Sequence, residues 1–289
     1  MSFYSVLGGY CIEYMSLNLS NLAFAGAEVK SGSDLFGSML TNPFGCVMFT
    51  LLFMIICYLI NRGGISGGIE KFNNVGMPAL FIMLVIIIIR SLTLPGAVEG
   101  LKFMFVPGYA VEAGFIEEAP SIGSVMATAG GQMFFSLSLG MGIMITYGSY
   151  LDKKENLQKN AILIIVMDTL VALMAGLCVM PARFALDPEG PIGGPKLLFI
   201  TMQNVFDSMD GAIGPIFGII FYLLVVFAAV SSSISLLEVI VAHFCDKARD
   251  AGKGDKRKTY TLIAAACVGL GCILVCADQL GGASFTPWK

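Results

Sequence analysis

Seven apolar segments punctuate the chain, at roughly 1–22, 44–61, 75–94, 129–151, 161–181, 212–242 and 260–277. Most are close to the ~20 residues that carry an α-helix across a bilayer. A lipid core admits only structures that satisfy their own backbone hydrogen bonds, so such runs fold as helices. The expected fold is an all-α polytopic membrane protein of about seven transmembrane helices, read as a single domain over residues 1–289. Composition agrees: hydrophobic residues make up 56% of the chain and charged residues 13%, the latter about half the ~25% usual in soluble domains. The net charge of −3 is carried by loops, and no nucleic-acid partner is expected. The first segment opens on Ser2-Phe3-Tyr4 with no charged region or small-residue cleavage site, so it reads as a helix and not a signal peptide. The eight cysteines fall in or beside apolar runs without metal-ligand spacing; they read as small buried hydrophobes, with no disulfide framework.

Lysine and arginine place the loops. Connections 62–74, 152–160 and 243–258 hold Arg62, Lys71, Lys153, Lys154, Lys159, Lys247, Arg249, Lys253, Lys256, Arg257 and Lys258, so they are expected on the cytoplasmic side of the cell's inner membrane. The alternate connections are acidic, and the first segment then runs outward. Two outer connections, 95–128 and 182–211, are too apolar for simple linkers; Phe103, Phe105, Phe184, Phe199 and Phe206 predict short helices over the outer mouth, with ordinary packing on the helix ends as the alternative. The glycine-dense stretch 61–70 lacks the Gly-Lys-Ser/Thr ending of a phosphate loop and reads as a tight turn.

One membrane-length run breaks the pattern. Residues 131–150, GQMFFSLSLGMGIMITYGSY, carry Ser136, Ser138, Gly140 and Gly142 at their centre. Loosened backbone at membrane depth survives where it faces protein, water, an ion or a substrate, so a broken helix at a binding site is expected. The competing reading is close approach of another helix over small residues. In segment 212–242, Ala228, Ser231 and Ser232 share one helix face with Leu236 a turn further on. Two hydroxyls and a carbonyl suit a hard cation such as sodium, although a membrane serine commonly bonds back to the carbonyl one turn earlier. Asp168, embedded in AILIIVMDTLVAL, is the third anomaly. A mid-helix aspartate costs about 2.5–3.5 kcal/mol on insertion scales, so it is neutral, paired or ion-bound. An adjacent sodium at ~4 Å in an effective dielectric near 20 offers roughly 4 kcal/mol, enough to keep it ionised; a protonated acid bonded to a neighbouring helix is the alternative. Glu13 and Glu238 sit nearer helix ends, where a water-facing or snorkelling role is the default. His243 reads as a charge at a helix C-terminus, and Asn18-Leu-Ser20 matches a glycosylation triplet inside an apolar helix, where the match carries little weight.

The broken segment, the helix with Asp168-Thr-Leu-Val-Ala, the stretch Gly194-Pro-Lys-Leu-Leu-Phe-Ile-Thr201 and the serines at 231–233 together resemble a bacterial member of the neurotransmitter:sodium symporter family, with its leucine-transporter-type inverted-repeat bundle. The family usually has twelve helices, and the segments here resemble the third to the ninth, so the chain is expected to be a fragment lacking the unwound first helix. The resemblance implies sodium-coupled symport of an amino acid by alternating access, no enzymatic activity and no organic cofactor. It places substrate binding at Tyr4, Leu7, Phe135, Ser138, Met141, Ser232 and Leu236, and sodium at Ser136, Asp168, Ala228, Ser231 and Ser232. Apolar pocket walls point to an apolar or aromatic substrate. Asp168 stands where other members carry asparagine, and Ala172 where chloride-dependent members carry serine, so transport is expected to be chloride-independent. The rival is a non-transporting fragment or channel-like bundle needing a partner, but a channel calls for rings of like charge along a pore, and the sequence shows no such pattern.

Overall fold

The computed structural model describes residues 1–23, 32–191, 193–254 and 256–278. Position 192 of the second outer connection and position 255 of the last basic loop lie outside the described residues. The chain runs through α1 (Ser2–Ala23), α2 (Gly32–Thr41), α3 (Pro43–Arg62), a π-helical turn at Ile65–Ile69, α4 (Glu70–Leu92), α5 (Ala97–Phe105), α6 (Tyr109–Glu112) and α7 (Ile122–Ser136). It continues through α8 (Ile143–Gly148), α9 (Leu157–Leu186), α10 (Gly194–Lys196), a second π turn at Leu197–Thr201, α11 (Met202–Asp207), α12 (Ile213–Asp250) and α13 (Arg257–Ala277).

Five helical stretches among the described residues are long and apolar enough to cross a membrane: Pro43–Arg62, Ile65–Leu92, Leu157–Leu186, Ile213–Asp250 and Arg257–Ala277. The other two expected spans are also helical, but α1 is diluted by Ser, Asn and Tyr, and the segment 129–151 is split between α7 and α8. The long helices outrun their apolar segments. α12 continues through 243–250 and α9 begins at Leu157, so the expected basic loops 243–258 and 152–160 are partly helix; likewise α4 begins at Glu70, inside 62–74. Hydropathy marks the lipid-facing part of a helix, whereas caps decide where it starts: Asn156 accepts from Lys159 N at 3.0 Å, and Asn42, followed by Pro43, accepts from Gly45 N at 3.2 Å. His243 therefore lies within α12 and not at its end.

The helices fall into two compact units, residues 1–84 with 189–289, and residues 85–188. In the first, α1 packs against α12 and α3, and α13 against α3, α1 and α12. A side chain at Gly9 would stand 2.7 Å from the Thr50 Cα, so only glycine permits the α1–α3 crossing. Aromatic rings close one end of this unit. Phe199, carried by the π turn, stacks on Phe36 at 5.9 Å and meets Tyr10 and Tyr14 at 5.8 and 5.2 Å. Beside them Asn18 Nδ2 donates to Tyr14 O (2.9 Å) and Gln203 Oε1 (3.0 Å), while Gln203 Nε2 donates to Asp207 Oδ1 (2.8 Å). Asn18 is buried and its amide committed, which removes it as an acceptor for a sugar.

In the second unit α5 packs along α9. Phe103, Phe115 and Phe184 form a ring triad at 5.3–5.6 Å, and the buried Arg183 guanidinium lies 4.4 Å from the Phe184 centroid. The short helices expected in the outer connections are present as α5, α6, α10 and α11.

Candidate functional site

The helix that opens at Ile122 with Ser121 as its cap ends at Ser136, and α8 resumes at Ile143. Between them the regular ladder gives way to Leu137 N→Met133 O (3.0 Å), Ser138 N→Phe135 O (3.1 Å) and Leu139 N→Phe134 O (2.9 Å). Gly140 and Gly142 take φ of 77° and 80°, and Ser138, the one non-glycine residue with positive φ among those described, takes 55°. A left-handed serine costs about 1–2 kcal/mol, and persists because the glycines on its C-terminal side turn the chain with it. The break expected within 131–150 is therefore real, with Phe135 and Ser136 at its N-terminal edge and Ser138 and Met141 inside it.

Asp168 projects from α9 toward this break. The Ser136 hydroxyl donates to Asp168 Oδ1 at 2.6 Å, a charge-assisted bond that joins two candidate sodium ligands 32 residues apart. Asp168 is half-buried and its second oxygen keeps acceptor capacity. Thr169, next in sequence, instead donates back to Ile165 O and stays outside the site. The pair offers anionic and hydroxyl oxygen side by side, a donor set that a small hard cation accepts.

The other candidates lie in the first unit. Ser231 donates to Ala228 O at 2.8 Å and Ser235 to Ser231 O at 2.9 Å, the local back-bonding that serine adopts in apolar helices. Ala228 O is thus engaged by Ser231 here. Ser232 is exposed and meets the Tyr4 phenol; Tyr4, Leu7 and Leu236 are half-buried. Within each unit, then, the structure brings together Ser136 with Asp168, and Tyr4 with Ser232.

A polar cluster that hydropathy alone undervalues lies at the other end of the first unit. Glu238, expected to snorkel, is fully buried, and Arg257, expected in a loop, is the first residue of α13. Arg257 Nη1 donates to Glu238 Oε1 at 3.0 Å and Nη2 to Oε2, while Nε and Nη2 both reach Asn61 O at 3.2 Å. Asn61 Nδ2 in turn donates to Ile234 O at 3.2 Å. Three helices are tied by one guanidinium, with the bidentate geometry that makes a desolvated ion pair tolerable. Glu238 lies twelve residues inside the C-terminus of α12, and that helix length was the missing signal. Glu13 also differs from its expected water-facing role: it is half-buried midway along α1, with Oε2 enclosed.

Comparison with known proteins places these features in context. Residues 27–286 match the model of the sodium:neurotransmitter symporter family. The uncharacterized sodium-dependent transporter YhdH of Bacillus subtilis is 37% identical over 262 residues, 91% of this chain and 54% of that protein. An uncharacterized sodium-dependent transporter of Haemophilus influenzae is 37% identical over 86% of this chain and 52% of its own length. This chain thus spans about half the length of the curated relatives it matches. The crystal structure of MhsT in complex with L-phenylalanine superposes on 100% of this chain and 62% of its own, with a TM-score of 0.81 and 36% identity.

Proposed function

The chain belongs to the sodium:neurotransmitter symporter family, and from that premise we propose that it carries part of a transporter in which sodium entering the cell drives uptake of an amino acid. The observation that carries the reading is the Ser136–Asp168 bond at the break between α7 and α8: two oxygen donors, one anionic, fixed together beside backbone that has left the helix. Ser136 and Asp168 hold one sodium, and Ala228 O, Ser231 and Ser232 a second once Ser231 turns from its back-bond. Tyr4, Leu7, Phe135, Ser138, Met141, Ser232 and Leu236 contact the amino acid. The apolar walls, together with the phenylalanine held by MhsT, support an apolar or aromatic substrate. Cation and substrate carboxylate favour each other, so each raises the other's affinity. The protein lies in the cytoplasmic membrane with 62–74, 152–160 and 243–258 inside.

Asp168 supplies a fixed negative charge beside sodium, and Ala172 offers no hydroxyl to an anion, so transport does not require chloride. The test is sodium-driven uptake of labelled phenylalanine by cells expressing the protein, native or Asp168→Asn, with and without chloride. Native uptake should be indifferent to chloride, and the variant should lose uptake in its absence. Variant uptake equal to native in both conditions overturns the role given to Asp168, and absence of sodium-dependent uptake or binding by the native protein overturns the transport reading.

A further inference from the structure

Away from the sodium candidates, the start of α3 meets the end of α13, and two buried thiols face each other there. Cys46 lies in the first turn of α3 and is 1% exposed; Cys276 lies in the last turn of α13 and is 2% exposed. Thr50, one turn beyond Cys46 on the same face, approaches the Cys276 sulfur with its Oγ1 at 3.8 Å. The Cys46 side chain reaches both Cys276 and the Tyr10 hydroxyl. Cys272, the neighbouring thiol one turn earlier, is directed elsewhere and donates to Ser2 O at 3.6 Å.

We propose that Cys46 and Cys276 form a dithiol that closes to a disulfide, a modification site that ties α3 to α13. Both cysteines sit at helix ends, where terminal turns open most readily, and on the orientation given by the basic loops both ends face outward, the side where disulfides persist. The oxidant is a small disulfide. One cysteine, as thiolate, attacks a sulfur of the oxidant and expels a thiolate, which takes up the proton that the cysteine gave. The second cysteine then attacks the mixed disulfide in the same way, forming the Cys46–Cys276 S–S bond and releasing the second small thiol. Two cysteine thiols are oxidised by two electrons, and one external disulfide is reduced to two thiols.

The experiment is mass mapping of the purified whole chain treated with hydroxyethyl disulfide, then alkylated and digested without reduction. The expected result is a single linked peptide pair, joining the Cys46 and Cys276 fragments and lighter by two hydrogen atoms than their sum. Three of the eight thiols are then lost to alkylation, the linked pair and Cys267 as its adduct, and all three return after reduction with dithiothreitol. The exposed Cys267 serves as the internal control and carries only a simple adduct. Unlinked adducts on Cys46 and Cys276, or a link from either to Cys272 instead, overturn the proposal; so does failure of the pair to react while Cys267 is modified. The conservative variant Cys276→Ser should abolish the link and leave the Cys267 adduct unchanged.

Discussion

α12 and α9 are the two longest helices and equally apolar, yet 44% of the apolar window of α12 is buried against 6% in α9. α12 is held on several sides, by α1, α3, α11 and α13, and two of its polar residues are engaged by neighbours: Glu238 by Arg257, Ser231 by Ala228 O. α9 is packed by α5 toward its C-terminal end, where Arg183 and Phe184 are buried, while Ile162, Leu163, Ile164 and Ile165 stand bare. Such a surface is what a bilayer solvates. Identical hydropathy thus serves two purposes, and it is at the barer helix that Asp168 keeps oxygen available. The contrast teaches that hydropathy alone does not tell a helix enclosed by its neighbours from one whose apolar face is open.

Substitutions can break or sharpen this comparison. The largest effect is expected from Glu238→Gln, which takes the counter-charge from the partly exposed Arg257 at a fully buried position and should cost up to about 3–5 kcal/mol in the first unit, read as a lower thermal midpoint in detergent; a near-native midpoint would mean the cluster is solvated. Next, Leu237→Ala, at a fully buried position, should cost about 2–5 kcal/mol through its cavity. Leu163→Ala at a residue 55% exposed should stay within about 0.5 kcal/mol. Equal losses at the two positions would erase the distinction between the helices. Ser138→Gly should stabilise by about 1 kcal/mol, since glycine adopts φ near 55° without strain, and a destabilised variant would show that the Ser138 side chain anchors the break.

The smallest effect concerns the exposed pair Glu99–Lys102 in α5. Lys102 beside Glu99, with the Tyr109 hydroxyl on the same carboxylate, holds the Glu99 carboxyl below its usual range. A depressed carboxyl contributes above its unfolded pKa and loses that contribution as pH falls through the folded one. Acid titration of Lys102→Met should therefore track native in strong acid and differ above the carboxylate range only marginally, the pair being screened by water. A large difference there would show that α5 depends on it.

Legibility in the sequence differs from residue to residue. The break at 137–142 was written in Ser136, Ser138, Gly140 and Gly142, because residues that favour turns in the middle of an apolar run are a local signal. Asp168 was equally visible, since an ionisable group amid isoleucines is costly wherever the helix packs. The depth of Glu238 was not visible, because hydropathy falls at His243 while the helix continues to Asp250, so its place in the bundle could not be counted from the apolar run. The serines at 231–233 read as a face, but which hydroxyl turns back and which meets Tyr4 depends on what lies opposite.

The sequence by itself determined an all-helical membrane protein and the place where one helix must open, because these follow from properties carried by neighbouring residues: hydropathy over a bilayer thickness, helix period and turn preference; its motifs in order carried the resemblance to the family. Tertiary structure alone decided that Ser136 holds Asp168, that Arg257 closes on Glu238, and that Cys46 faces Cys276. Each pair joins two different helices, and such meetings depend on crossing positions set by close contacts such as Gly9 on Thr50. No local pattern encodes such a contact, because it is the sum of packing along whole helix faces.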